Sequence, residues 1–372
     1  MHDALYVGLM SGTSVDAIDA ALVSCGETIG ILATHEQAMS AALRESIAAL
    51  SRSGPDEIER LGRLDREMGA LFARAVLTLL DRAGVQPAQV AAIGSHGQTV
   101  RHRPPSSGEA EGRAFTLQLG DPNTIAENTG ITTIADFRRR DIAAGGEGAP
   151  LAPAFHAAAF ALEGNNRAIV NIGGIANVSM LTGNTLHSGF DSGPGNTLLD
   201  QWIARHRGVD FDREGQWSAE GTPDPTLLER FLQHPFFGRR GPRSTGREDF
   251  NLEWLDHCLA GSQSLAPEDV QATLAELTAA SIARAIESSG VGVDEVFLCG
   301  GGAHNSDLAR RLQAAIGRAP VATTANLGID PDWVEAATFA WLAHRSIEGM
   351  AGNAPAVTGA SGPRVLGGIY PA

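Results

Sequence analysis

The sequence predicts an α/β protein of two domains, each a mixed sheet flanked by helices, and three observations carry that expectation. Two segments read as strand, glycine turn, strand, at residues 4–25 and again at 168–181. A third glycine run, Gly300-Gly301-Gly302, stands between an apolar strand and a helix. The chain has 372 residues, more than one core of roughly 100–200 residues needs.

The first turn is the most informative stretch. Residues 8–19 read Gly-Leu-Met-Ser-Gly-Thr-Ser-Val-Asp-Ala-Ile-Asp between apolar runs 4–10 and 17–25. Such a turn offers backbone N–H groups and the hydroxyls of Thr13 and Ser14 to an anion. It is not a Walker A loop, because no Gly-Lys-Ser/Thr ending and no immediate helix follow. An ordinary hairpin uses the same residue types, so the turn alone does not decide.

Bulk composition excludes several classes. Hydrophobic residues make up 43% of the chain, normal for packed globular domains. The net charge of −15 argues against a partner that is nucleic acid, which needs a basic surface. Cys25, Cys258 and Cys299 are isolated, with no metal spacing. The first residues lack a signal-peptide pattern, and no apolar run approaches the ~20 residues of a membrane span. The expectation is a cytoplasmic protein with no membrane partner; a homodimer is compatible with it.

Along the chain, helical spacing of Leu61, Leu64, Met68, Leu71, Phe72 and Val76 marks a helical stretch over 43–83. A short strand at 91–95 ends in Gly94-Ser95-His96-Gly97-Gln98-Thr99. Another at 130–135 ends in Asp136-Phe137-Arg138-Arg139-Arg140-Asp141. Residues 143–153, with Gly145, Gly146, Gly148, Pro150 and Pro153, are the expected hinge. The domains expected are 1–142 and 143–345, with 346–372 packing back on the first. In the second, strands at 168–172 and 175–181 flank Gly173-Gly174. A helix starts at Pro267 and ends before Gly290, its apolar face Val270, Leu274, Leu277, Ile282 and Ile286. A strand at 295–299, a helix at 307–316 and a strand at 321–324 complete a unit around Gly300–Gly302, where the glycines permit close approach of a flat adenine.

Several motifs together resemble the anhydro-N-acetylmuramic acid kinases, bacterial enzymes of peptidoglycan recycling in the actin-like ATPase superfamily. They are Gly8-Leu9-Met10-Ser11-Gly12-Thr13-Ser14-Val15-Asp16, Ser95-His96-Gly97-Gln98-Thr99, Asp136 to Ile142, and Gly148-Ala149-Pro150-Leu151. The run continues with Asn171-Ile172-Gly173-Gly174-Ile175-Ala176-Asn177, Asp191-Ser192-Gly193-Pro194-Gly195-Asn196, Ser244-Thr245-Gly246-Arg247-Glu248, Gln271-Ala272-Thr273-Leu274, Gly300-Gly301-Gly302 and Val357-Thr358-Gly359-Ala360. These blocks lie in order from end to end. One departure is Ala17, where the family's phosphate turn usually has glycine; it is harmless if φ is negative there, as expected for a residue opening a strand.

The resemblance implies two actin-like (ribonuclease H-like) domains with ATP in the cleft between them. It also implies ring opening of 1,6-anhydro-N-acetylmuramic acid with phosphorylation of O6. Asp191 would be the general base toward water, although a turn aspartate is the commoner meaning of such a residue alone. Gly12, Thr13, Ser14, Val15, Asp16, Ala17, Ile18, Asp19, Gly173 and Gly174 would hold the ATP phosphates. Gly300, Gly301 and Gly302 would hold the adenosine. His96, Gln98 and Asn196 would meet the sugar. Arg138 and Arg140 are candidates for its lactyl carboxylate, since a guanidinium fork suits a carboxylate and strand alternation would point both the same way. Mg²⁺ is expected near Asp16, with Asp19 and Glu335 as other acids in play. The basic stretch 239–247 reads as a surface loop, and residues 244–248 carry no role the sequence explains. Rival readings are a simple amino-sugar kinase without ring opening, and a non-catalytic actin-like nucleotide-binding protein.

Overall fold

Residues 4–12, 15–26, 28–108, 112–239, 245–246, 249–260 and 265–372 are described by a computed structural model. They divide into two compact units, Met1–Phe155 with Trp333–Ala372, and His156–Asp332. Each is α/β with its own mixed sheet.

The first unit opens with an antiparallel meander, β1 (Ala4–Ser11), β2 (Ala17–Cys25) and β3 (Ile29–Ala38). Val7, Leu9, Leu22 and Ile18 pack with Ile47 of α1 (Ala41–Leu50) and with Met68, Phe72 and Val76 of α2 (Glu57–Ala83). The helical stretch expected over 43–83 is thus two helices, because Gly54-Pro55 cannot continue the first. Next, β4 (Val90–Arg103) runs parallel to β1 and carries Ser95–Thr99 inside the strand rather than at its end. Its far half pairs with β5 (Phe115–Leu119). Then come α3 (Pro122–Thr129), capped by the Asp121 carboxylate, and β6 (Thr133–Ala135). Asp136 turns the chain at φ 65° into α4 (Phe137–Ala143), so the arginine triplet is helical, not extended. Residues two apart on a helix point about 200° apart, which corrects the expectation that Arg138 and Arg140 share a direction. Arg138 is half-buried, whereas Arg139 and Arg140 are exposed. The glycine-bearing segment that follows is tied to this unit: the Glu147 N–H donates to Thr358 O and the Gly148 N–H to Asp141 Oδ2, both at 2.8 Å. The division between units falls farther on, within α5 (Ala152–Phe160).

The second unit repeats the meander with β7 (Asn166–Ile172), β8 (Ile175–Thr182) and β9 (Thr185–Pro194). Helices α6 (Thr197–Arg207), α7 (Gln216–Glu220), α8 (Pro225–Leu232), α9 (Leu252–Leu259) and α10 (Pro267–Ser288) follow. The unit closes with β10 (Glu295–Cys299), α11 (Ser306–Ile316) and β11 (Val321–Thr323), giving the sheet order β11-β10-β7-β8-β9. Ala168, Val170 and Ile172 of β7, Ala176, Val178 and Met180 of β8, and Phe190 of β9 form one core with Ile282 and Ile286 of α10 and Leu308 and Leu312 of α11. Because side chains alternate along a strand, Asn171, Asn177 and Asp191 occupy the opposite face.

The chain then returns to the first unit as α12 (Val334–Ile347), packed on β1, β2 and β4. Gly8 and Gly94 permit this: a Cβ on either would overlap the α12 backbone at Ala336 or Phe339. Residues 334–345 therefore lie in the first unit, where the sequence reading placed them in the second. Lastly, α13 (Pro355–Thr358) and β12 (Gly368–Tyr370) follow, β12 antiparallel to β6. The first sheet has the order β12-β6-β4-β1-β2-β3, with β5 on β4. No helix among the described residues is long and apolar enough to cross a membrane.

Candidate active site

In the first unit the turn between β1 and β2 brings Gly12, Val15 and Asp16 together; Thr13 and Ser14 lie outside the described residues. Val15 donates its N–H to Gly12 O at 3.3 Å and has φ 59°. A β-branched residue in the left-handed region stores about 1–3 kcal/mol, and such strain clusters at ligand-binding turns. Asp16 accepts the Ala17 N–H at 3.0 Å. Ala17 opens β2 and is not among the residues of positive φ, so the missing glycine costs no strain there. Ile18 is fully buried and Asp19 pairs with Met10 across the hairpin. Beneath the turn, the Ser11 hydroxyl donates to Gln98 Oε1 at 2.6 Å, with both residues buried. Gln98 thus braces the turn.

His96 and Arg138 form a second group. Arg138 donates from Nε to His96 Nε2 at 3.0 Å and from Nη1 to Gly148 O at 2.8 Å. His96 Nδ1 is then the protonated nitrogen and donates to Gly97 O at 2.8 Å. Burial, reinforced by the Arg138 charge, holds the His96 pKa well below its usual value, so the ring is neutral. Burial also lowers the Arg138 guanidinium to about 10, against the pull of Glu335 and Asp141. Beside them is a cavity of about 180 Å³ lined by Ser95, His96, Gln118, Asp65, Asp136 and Arg139 among others. The Ser95 hydroxyl there is buried and has no partner among the described residues. Arg140, on the exposed side of α4, is not brought to this group.

In the second unit, Gly173 and Gly174 form the turn between β7 and β8. Their carbonyls accept N–H groups from Asn196, at 2.8 Å, and from Gly195 and Thr197, at 2.9 and 3.1 Å. Gly195 is required, since a Cβ would overlap Gly173 O. Gly300, at φ 73°, abuts Asn171 and Ile172, and Gly302 abuts Ile172, so neither has room for a side chain. The Asn196 amide donates to Ile172 O at 3.3 Å and reaches toward Gly301. Asn196, expected to meet the sugar, thus stands among the glycines expected to hold the nucleotide.

Asp191 lies within β9 rather than in a turn, half-buried, and its Oδ2 accepts the Thr245 N–H at 3.0 Å. Thr245 in turn donates its hydroxyl to Asp249 at 2.7 Å. Part of the 244–248 motif is therefore a support for Asp191; Ser244, Arg247 and Glu248 lie outside the described residues. Across the sheet, Asn171 pairs with Asn177, and Asn177 with Asp191. The amide oxygens of both asparagines are buried and without partners among the described residues. The sequence reading left both out of the site. Their signal was present in the apolar even-numbered positions from 168 to 180, which leave the odd-numbered ones on the other face.

The orphaned Asn171 oxygen fits a polar ligand. The side-chain space at Gly300 and Gly302 is filled by Asn171 and Ile172, which leaves Gly301 as the open glycine of the three. For a metal, no group of three or more His, Cys, Asp or Glu occurs among the described residues, so tight all-protein coordination does not fit. A water-shelled ion needs only about one carboxylate, and Asp16 at the first turn is a candidate for it.

Residues 4–372 match the family described as anhydro-N-acetylmuramic acid kinase. The anhydro-N-acetylmuramic acid kinase of Pseudomonas fluorescens is 50% identical over 368 residues, covering 99% of each chain. That of Shewanella halifaxensis is 52% identical over 375 residues, covering 100% of each. Among solved structures, the activator of the 2-hydroxyisocaproyl-CoA dehydratase from Clostridium difficile aligns at a TM-score of 0.46 and 16% identity, over 92% of this chain and 96% of that one. Identity of one half across the whole of both chains places the protein among the kinases: the chain belongs to the anhydro-N-acetylmuramic acid kinase family.

Proposed function

We propose that the enzyme opens the 1,6-anhydro ring of 1,6-anhydro-N-acetylmuramic acid with water and phosphorylates O6 from ATP. N-acetylmuramic acid 6-phosphate and ADP are then released in the cytoplasmic recycling of peptidoglycan. The observation that carries this reading is Asp191, a carboxylate on the face of the sheet opposite the core, held by the Thr245 N–H and paired with Asn177, three residues past Gly174.

The water oxygen bonds to the anomeric carbon while the bond from that carbon to O6 breaks. O6 bonds to the γ-phosphorus, the bond to ADP breaks, and the water proton passes to Asp191. A carboxylate suits proton acceptance where bulk solvent is kept out. On this reading the Gly12–Asp19 turn and Gly173–Gly174 hold the phosphates and Gly300–Gly302 the adenosine. His96 and Arg138 face the acceptor; a neutral His96 fixes the guanidinium, whose remaining N–H groups suit the lactyl carboxylate. Mg²⁺ near Asp16 would neutralise charge on the phosphates. The remaining work is positioning, which accounts for how much of the site is backbone and glycine.

Incubation with ATP and the anhydro sugar in ¹⁸O-water, followed by mass spectrometry, tests the reading. Label at the anomeric carbon of a 6-phosphate is expected. A phosphorylated sugar without solvent oxygen would favour the plain amino-sugar kinase instead.

A further inference from the structure

We propose that Asn177 holds the attacking water together with Asp191, as the second acceptor that a water molecule needs when one of its protons is being removed. The inference rests on the reading of Asp191 as base. Water has two O–H bonds, and in a cleft closed to bulk solvent the one not aimed at the base still requires an acceptor. Asn177 is placed to be that acceptor. It pairs directly with Asp191 across β8 and β9. Residues so paired share a face with Cβ atoms roughly 4.5–5.5 Å apart, a gap that one bridging water spans.

Three features set Asn177 apart from a merely structural amide. Its neighbours Ala176 and Val178 are in the core against α10, so its own side chain is on the opposite face with Asp191. Its Oδ1 is buried and accepts from nothing among the described residues, although buried acceptors are nearly always satisfied. The strand pairing also slips beside it: Ala176 pairs with Gly193 and Asn177 with Asp191, leaving Ser192 as the extra residue, its hydroxyl on Ala176 O at 3.0 Å. A bulge re-aims the side chains next to it and is frequent beside reacting groups. Farther along the row, Asn171 abuts Gly300, so the polar face runs from the glycine cluster to the base without an apolar interruption.

Two isosteric variants test this. Asn177→Leu removes the acceptor; Asn177→Asp keeps an oxygen in its place. With steady-state kinetics for both substrates, Asn177→Leu is expected to lose 30-fold or more in kcat while both KM values stay within threefold. Asn177→Asp is expected to keep at least ten times the Leu rate. Wild-type kcat in the Leu variant, a loss confined to KM, or an Asp variant as slow as Leu would each overturn the proposal. Should Asn177→Leu fail to fold, Asn177→Ala takes its place under the same criteria. The wild-type enzyme in ¹⁸O-water separates the two levels: absence of label at the anomeric carbon removes the water step itself, whereas label with an indifferent Asn177 removes only this residue.

Discussion

Asp191 and Arg138 show how much a single side chain depends on the backbone that aims it. Asp191→Asn preserves an oxygen able to accept the Thr245 N–H, so the fold and the ATP KM should survive. Proton acceptance is lost, and kcat is expected to fall by ~10²–10⁴, as for removal of a general base. Turnover near the wild-type rate would take Asp191 out of the mechanism. Arg138 makes its two bonds from different nitrogens of one planar fork, Nε to His96 and Nη1 to Gly148. Lysine keeps the charge but cannot reproduce that pair. Arg138→Lys should therefore raise the sugar KM by about tenfold, a bidentate contact's share, leaving the ATP KM near its starting value. Arg140→Lys, on the exposed side of the same helix, should change neither. Kinetics in which the two variants behave alike would mean that the helix does not separate them.

At the scale of elements, what the sequence made legible was whatever has a period or a punctuation mark. Both strand–glycine turn–strand openings, the helix from Pro267 and the strand at 295–299 stand where alternation, caps and glycines indicated. What it hid were effects of neighbours. β4 runs on through Ser95–Thr99 because β1 and β5 supply pairing partners that local sequence cannot announce. β6 ends at Ala135 as expected but begins only at Thr133, because α3 runs to Thr129 and Gly130 closes it. The arginines beyond are helical because Asp136 adopts a left-handed turn, open to aspartate but not signalled by it. The placement of α12 on the first sheet depended on Gly8 and Gly94, whose lack of a side chain gains its meaning only when a helix is laid across them. Gly94→Ala tests that packing. Its Cβ would collide with the α12 backbone at Phe339, so helix and sheet must separate, at a cost of about 1–3 kcal/mol or more. Gly290→Ala, in open space at φ 72°, should cost about 1 kcal/mol through backbone strain alone. Urea unfolding of the two variants measures the difference, and equal costs would contradict the close packing of α12.

For the whole molecule, the buried histidines set how stability responds to acid. His96 and His156 are both buried; burial lowers His156 to about 3 and, with Arg138, holds His96 well below the usual range. His102 is lowered to about 4, by burial first and then by Arg138 and Arg103. In the unfolded chain each titrates near 6.5. Between that value and the folded one the unfolded state binds more protons, so stability present above pH 6.5 is lost as pH falls. Each such histidine contributes a slope of up to about 1.4 kcal/mol per pH unit. Two carboxylates act in the opposite sense: Asp65 and Asp136, raised chiefly by burial, gain stability as pH falls through their folded values, while Asp121 and Asp307 are lowered and lose theirs below 3.8. His96 and His102 belong to the first unit and His156 to the second, so both should weaken rather than one. Urea titrations from pH 7 to pH 5 are expected to show a fall of a few kcal/mol, large against a typical total of about 5–15 kcal/mol. His156→Gln, which retains a hydrogen-bonding partner for Ser179, should reduce the response of the second unit, where burial also lowers His234, and leave that of the first unchanged. A stability flat across this interval, or a His156→Gln variant as acid-sensitive as the wild type, would mean that these rings are not held neutral by the fold.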